Sequence, residues 1–287
     1  MGFSVVLWSD AVASQVMSFL RQYEDTSLFL LNNLHSFGPR LNSAPNSGNF
    51  NIILNDQQEI AAIFVLSRRG NLLLQTNRGE DYSVPILDQI QKESVAHKGI
   101  FGAWEVVQPL WEEAQRRSAN LKAKLFSKEI LFRLVLEDLE IKSLPEIEIR
   151  SLRAVDFDQW SIRRLEYLKE VGLSLDLSAE QFHEVFLKLI KDQELWGCFR
   201  EGQLLSMAGL NARYNNLGQV GGVFTVHSER GKGYAKEVMK KLMKDCREIH
   251  KIQKLILFTD EKNVAAQAVY DGLGFERIGH FGIILMD

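Results

Sequence analysis

The sequence predicts an α/β (α+β) protein, and three observations carry that prediction. Apolar residues recur every three or four positions in some stretches and every second position in others. The two kinds of stretch alternate along the chain, with polar turns and hairpins between them. The order of elements also recurs. Two helices, a three-strand meander, helix, strand, helix and strand appear once in each half, so the 287 residues read as two copies of one fold.

In the first half, Val12, Val16, Phe19, Leu20, Leu28, Leu31 and Leu34 give one or two amphipathic helices within Asp10–Leu34. Residues 36–49, rich in Ser, Asn, Gly and Pro, read as a loop. Strands follow at Phe50–Leu54, Ile60–Leu66 and Leu72–Gln75, separated by the turn signals Asn55-Asp56-Gln57-Gln58 and Arg68-Arg69-Gly70-Asn71. Helices are expected at Val84–Val95 and Ala103–Lys122, with short strands at Ile100-Phe101 and Ile130–Leu136. The acidic run 137–146, ending Leu144-Pro145-Glu146, reads as a linker and divides the chain into domains 1–140 and 147–287.

The second half opens on an alternating strand, Ile147–Leu152, followed by helices at Asp156–Val171 and Ala179–Lys191. Strands at Leu195–Arg200, Leu204–Ala212 and Gln219–Val226 form the meander. Then come a helix at Tyr234–His250, a strand at Lys254–Thr259, a helix at Asn263–Tyr270 and a strand within Glu276–Met286.

Composition narrows the function classes. With 34 Lys+Arg, 37 Asp+Glu, a net charge of -3 and 46% hydrophobic residues, the chain is neither disordered nor a basic nucleic-acid binder. No apolar run reaches the roughly 20 residues of a membrane span. The start has neither a basic n-region nor a cleavage pattern, and the myristoylation pattern fails at position 6, so the expected location is the cytoplasm. Cys198 and Cys246 lie in apolar segments and make no disulfide framework. His35, His97, His183, His250 and His280 are scattered, so no metal is expected.

One stretch carries chemistry. The strand Gly222-Val223-Phe224-Thr225-Val226 runs through His227-Ser228-Glu229 into Arg230-Gly231-Lys232-Gly233-Tyr234-Ala235. An amphipathic helix opens at once, with Ala235, Val238, Met239, Leu242, Cys246 and Ile249 as its expected buried face. The first N–H groups of a helix lack intrahelical partners and sit at the positive end of its dipole. Glycines allow close approach of backbone to an anion, and Arg230 and Lys232 add charge. The spacing is neither a Walker loop nor a dinucleotide turn.

About 30 residues on stands Asn263-Val264-Ala265-Ala266-Gln267-Ala268-Val269-Tyr270-Asp271-Gly272-Leu273-Gly274-Phe275. Together the two stretches resemble the GCN5-related N-acetyltransferase (GNAT) superfamily. Arg230, Gly233 and Ala235 meet its Gln/Arg-x-x-Gly-x-Gly/Ala signature. Asn263, Ala266, Tyr270, Gly274 and Phe275 meet its Asn-x-x-Ala-x-x-x-Tyr-x-x-x-Gly-Phe signature. Ser228 stands where many members have Pro, which shapes a turn and carries no chemistry.

The resemblance covers residues 147–287 and looks like a two-domain subfamily with a catalytic C-terminal copy. It implies, in each half, a mixed, mostly antiparallel twisted sheet flanked by helices. It implies acetyl-CoA as cosubstrate and an amine acceptor, either a small molecule or a peptide or protein amine. Phe224, Thr225 and Val226 would pair with the pantetheine arm, the amides from Gly231 to Ala235 would hold the pyrophosphate, and Asn263 would bond the arm or its neighbours. Tyr270 would be the general acid, and Lys232 would help hold the nucleotide 3′-phosphate, while Lys236, Lys240, Lys241 and Lys244 read first as a solvated helix face and second as part of that phosphate site.

A base acting through water is the usual kind. Glu170 is taken for it, ahead of Glu166, Asp260, Glu261 and His227, because it ends the first helix of the half where the family builds its acceptor site. The alternative is a non-catalytic acyl-CoA-binding or regulatory module. A protein partner or self-association as a homo-oligomer through the N-terminal half stays open. That half keeps Arg78-Gly79 but lacks the second glycine, carries Glu80 and Asp81 where a pyrophosphate would sit, and lacks the Asn…Tyr signature, so it is expected to be a degenerate copy that binds no CoA.

Overall fold

The computed structural model describes residues 2–77, 79–136, 147–174 and 177–286; the expected linker 137–146 and Arg78 lie outside them. Packing gathers the chain into two compact units. The first is Met1–Leu131 with Phe258–Lys262 and Ile278–Asp287, and the second is Phe132–Leu257 with Asn263–Arg277.

In the first unit, β1 (Ser4–Leu7) pairs antiparallel with β2 (Gly48–Leu54), β2 with β3 (Ile60–Ser67), and β3 with β4 (Asn71–Thr76). β4 then runs parallel to β5 (Gly99–Ala103), and β5 pairs antiparallel with β12 (Glu276–Met286) at Phe281↔Ala103 through Leu285↔Gly99. Helices α1 (Ala13–Gln22), α2 (Glu24–Phe37), α3 (Ser83–Ile90) and α4 (Trp104–Arg117) accompany this sheet. The core joins Phe64, Leu66, Leu74 and Ile100 of the strands to Ile86, Val107 and Trp111 of the helices.

The second unit repeats the plan. β7 (Glu148–Ser151), β8 (Leu195–Arg200), β9 (Gln203–Tyr214) and β10 (Leu217–Thr225) are antiparallel neighbours in that order. β10 runs parallel to β11 (Lys254–Asp260). Between the strands lie α5 (Phe157–Glu170), α6 (Ala179–Lys191), α7 (Tyr234–Glu248) and α8 (Val264–Asp271). In both units three antiparallel pairings precede one parallel pairing, and a helix spans the parallel crossover. This is the mixed, mostly antiparallel sheet flanked by helices, in two copies, that the sequence predicts.

Local departures from the expected boundaries have simple causes. β1 is four residues long, too short for a period to register, and is held by its pairing with β2. Asp10–Leu34 resolves into two helices broken at Tyr23, the second reaching Phe37. α4 stops at Arg117, where Ser118 turns extended, and the residues after it form β6 (Ala123–Val135), longer than expected at its start. α3 ends at Ile90, before the polar Gln91-Lys92-Glu93 turn. Ile249 is 47% exposed, because it stands past the last turn of α7.

Two polar devices fix the helices that carry the site. Trp196, fully buried on β8, donates its indole N–H to Asp245 Oδ2 at 2.8 Å, and Lys241 Nζ lies 2.5 Å from Oδ1. This pins α7 to β8. Asp156, at the entry to α5, accepts both Nη groups of Arg150 at 2.6 and 2.9 Å and the Arg153 N–H at 2.7 Å. A planar guanidinium suits this bidentate geometry.

Desolvation pushes the Asp156 pKa up, but Arg150 and the Arg153 amide outweigh it and hold the carboxyl below the ordinary 3.8. A carboxyl whose pKa falls on folding contributes stability that is full above its unfolded value and is lost as pH falls through its folded value. Asp156→Asn should therefore lower the unfolding free energy by roughly 1–3 kcal/mol at pH 7. In urea melts the deficit should shrink as pH drops below 3.8.

Candidate active site

The site begins where two parallel strands part. β10 and β11 are in register at Leu217↔Lys254, Gly218↔Leu255 and Gln219↔Ile256, and the pairing stops there while β10 runs on to Thr225. On its other edge β10 stays on β9, with a register shift between Gly221 and Phe224. Val226 donates its N–H to Leu205 O at 2.9 Å. Antiparallel bonding alternates, so Thr225 turns its N–H and C=O to the opposite edge, where the C=O accepts from Arg230 and the N–H is left for a ligand. Such an edge can take an extended ligand as a further strand. At the last paired position, the buried Oε1 of Gln219 has no partner among the described residues.

After β10 a short turn leads into α7. Gly231 and Gly233 have φ of +76° and +85°, a left-handed backbone that other residues adopt only under strain. A Cβ built on either would meet nothing within 4 Å, so the space in front of the turn is open. Glu237 is the first residue of α7 to donate back, to Gly233 O at 3.2 Å. The N–H groups of Gly231, Lys232, Gly233, Tyr234, Ala235 and Lys236 have no acceptor among the described residues. Six unpaired donors in succession at the positive end of a 15-residue helix are an arrangement suited to an anion.

Ion pairs hold this turn in shape. Glu229 accepts from Arg200 at 3.1 Å and from Lys232 at 3.0 Å, and Arg200 also bonds the Tyr234 hydroxyl at 3.0 Å. Lys232 first, then Arg200, keeps the Glu229 carboxylate below its ordinary pKa range. Arg230 turns away from the open face: its Nε donates to Thr225 O at 3.0 Å and its Nη2 to Glu170 Oε2 at 2.6 Å. It also lies over the Phe224 ring. Arg230 thus braces strand, turn and α5 together.

The structure brings Glu170 to this turn. One carboxylate oxygen is committed to Arg230, His227 Nε2 stands 3.8 Å from the same oxygen, and Oε1 has no partner among the described residues. The other acids weighed as bases are engaged: Glu166 with Arg163, Asp260 with the Lys262 N–H, and Glu261 with Lys128 and His280. Tyr270 lies on α8 with its ring 5% exposed, packed between Phe132 and Phe275. Asn263 caps α8, its Oδ1 accepting the Ala266 N–H at 3.1 Å.

Of the lysines, Lys232, Lys240, Lys241 and Lys244 pair with acids on their own turn or helix. Lys236, in the first turn of α7, has no acid partner among the described residues and reaches toward Gly272 at the end of α8. Cys198 and Cys246 are buried thiols whose pKa burial raises, Cys198 to about 11. No cluster among the described residues could hold a metal ion.

Sequence reasoning missed Gln219, the Arg200–Glu229 brace and Arg164. Only Arg164 left a readable sign: it falls one turn after Trp160 and one before Leu168, on the stripe that α5 buries.

Residues 154–275 match the model of the Acetyltransferase (GNAT) family. Solved structures of low identity share the fold over nearly the full length. A GCN5-related N-acetyltransferase from Sphaerobacter thermophilus is 12% identical, with a TM-score of 0.64 over 98% of this chain and 94% of that one. An acetyltransferase of the GNAT family from Colwellia psychrerythraea is 18% identical, with a TM-score of 0.54 over 99% of both chains. A tandem GNAT protein from the clavulanic acid biosynthesis pathway is 11% identical, with a TM-score of 0.58 over 99% and 98%. No curated protein matches the chain. Residues 154–275 thus carry the family match, and over nearly the full length the likeness is one of fold.

The left-handed turn should be sensitive to a β-branched side chain. Gly233→Val is expected to lower the unfolding free energy by roughly 1–3 kcal/mol through backbone strain alone, read from urea melts.

Proposed function

We propose that the protein transfers an acetyl group from acetyl-CoA to a primary amine, which attacks the thioester directly within one ternary complex. The observation that carries this reading is the row of unpaired amides from Gly231 to Lys236 behind two glycines that leave the space before them empty. A pyrophosphate fits that row by charge and by donor count.

Bound acetyl-CoA supplies an acyl group activated as a thioester. The chain does the rest. The amides of Gly231–Ala235 hold the pyrophosphate, and Lys236 takes a nucleotide phosphate. The open edge of Phe224–Val226 pairs with the pantetheine arm, and the Asn263 side chain bonds the arm. Tyr270 gives its hydroxyl proton to the departing sulfur, and Glu170 takes the proton of the attacking amine through a water at Oε1. Donors aimed at the thioester oxygen stabilise charge as it develops.

The domain division at 1–140 and 147–287, with catalysis in the second, belongs to the same proposal. In the first unit the turn after β4 sets carboxylates at its helix start: Asp81 accepts the Ser83 N–H at 2.8 Å, Glu80 precedes it, and Pro85 removes a further donor. Two unpaired thiols support a reducing cytoplasm, and among the described residues no helix is long and apolar enough to cross a membrane.

Tyr270→Phe is the experiment that separates an enzyme from a binding module. It keeps the ring and removes the proton, so kcat should fall about 10²–10⁴-fold while CoA affinity by calorimetry stays within a few fold. Unchanged turnover would assign the proton elsewhere. A calorimetric titration should also find one CoA per chain, and Gly233→Val should abolish it; two equivalents would mean that the first unit binds as well.

A further inference from the structure

On the α5 side of β10 lies a cavity of about 30 Å³, lined by Trp160, Leu189 and Met207, by Gly221 and Gly222 of the strand, and by Arg164. Its floor is the irregular part of the sheet. β9 carries an extra residue at Asn211 and β10 an extra one near Gly222, as the register shifts show. Gly222 is buried with φ of +64°, and a Cβ there would stand 2.8 Å from Nη1 of Arg164. The guanidinium therefore lies against the backbone of the bulge, in room that only a glycine leaves.

Arg164 differs from the arginines around it. Arg163 pairs with Glu166, Arg213 with Glu194, Arg200 with Glu229 and Arg230 with Glu170. Arg164 has no carboxylate and no hydrogen-bond acceptor among the described residues; its one neighbour of note is the Tyr167 ring, 5.1 Å from Cζ. Burial disfavours its charged form and pulls its pKa down. A half-buried cation without a partner carries a desolvation cost, and one that faces a cavity is balanced when an anion enters. A volume of about 30 Å³ holds one or two waters, hence a planar head group and not a whole acceptor.

We propose that Arg164 binds a carboxylate of the amine acceptor, so that the enzyme acetylates amines that carry an acid group. A guanidinium offers two parallel donors that match a carboxylate's two oxygens. The position suits the chemistry. Arg164 lies against Gly222, two residues before Phe224 on the strand taken for the thioester arm, so an acid seated on it would leave a short acceptor along that strand. The inference rests on that reading of the Arg230 turn and names its substrate class.

The test uses matched pairs of amines: glycine and glycinamide, β-alanine and β-alaninamide, γ-aminobutyrate and its amide. CoA thiol release is followed at equal concentrations of unprotonated amine, and acetyl-CoA binding is measured separately by calorimetry. In at least one pair the acid should outrun the amide by about tenfold or more. Arg164→Gln should reduce that preference to within a few fold without changing acetyl-CoA affinity. Arg164→Lys, which keeps a point charge but loses the fork, should retain part of it and serves if the Gln variant does not fold. Equal rates within every pair, no turnover of any pair by protein that binds acetyl-CoA, or a preference that survives Arg164→Gln each overturn the inference. Absence of acetyl-CoA binding in the unaltered protein would instead contradict the underlying reading of the turn, and the inference with it.

Discussion

A helix cannot satisfy its own first amides, and at α7 the chain leaves six of them bare. That omission organises the second unit. It requires glycine at 231 and 233, whose left-handed backbone turns the amides outward. It requires the turn to be held by side chains, since from Gly231 to Lys236 no backbone N–H finds an acceptor among the described residues. Glu229, Arg200 and Lys232 hold one side, and Arg230, Thr225 and Glu170 the other. It also requires a helix that does not shift, which the buried bond from Trp196 to Asp245 provides.

The internal repeat makes the same point by contrast. Both units run three antiparallel pairings into a parallel one, and both place a helix at the crossover. At α3 one amide of the helix entry is taken by a carboxylate, Asp81 on the Ser83 N–H. At α7 it is left open. One architecture thus gives a helix start faced by Glu80 and Asp81 in one copy and one flanked by Arg230 and Lys232 in the other, and the difference lies in a handful of turn residues.

Much of this was legible in the sequence because it depends on local rules. Periodicity found nearly every helix and strand, and the glycine spacing of the turn marked the anion site with no knowledge of its surroundings. What escaped depends on contacts between distant residues. β1 has four residues and exists because β2 pairs with it. Arg230, read as a charge beside the phosphates, spends its guanidinium on Thr225 and Glu170 because the turn needs a brace. Glu170 was picked out by its place at the end of a helix, yet its tie to Arg230 bridges 60 positions of sequence. Asn263, carried over as a ligand contact, has its carbonyl oxygen occupied as a helix cap. Arg164 could have been noticed as a charge on a buried stripe, but the missing partner that makes it informative is a property of the packed molecule.

The most direct measurement of the central claim is amide hydrogen exchange with and without acetyl-CoA. Exchange should slow at residues 231–236 and along 224–226 when acetyl-CoA is added, with no change at the corresponding turn and helix, 79–90. Unaltered exchange at 231–236 in the presence of saturating acetyl-CoA, or slowing at 79–90 in its place, would contradict it.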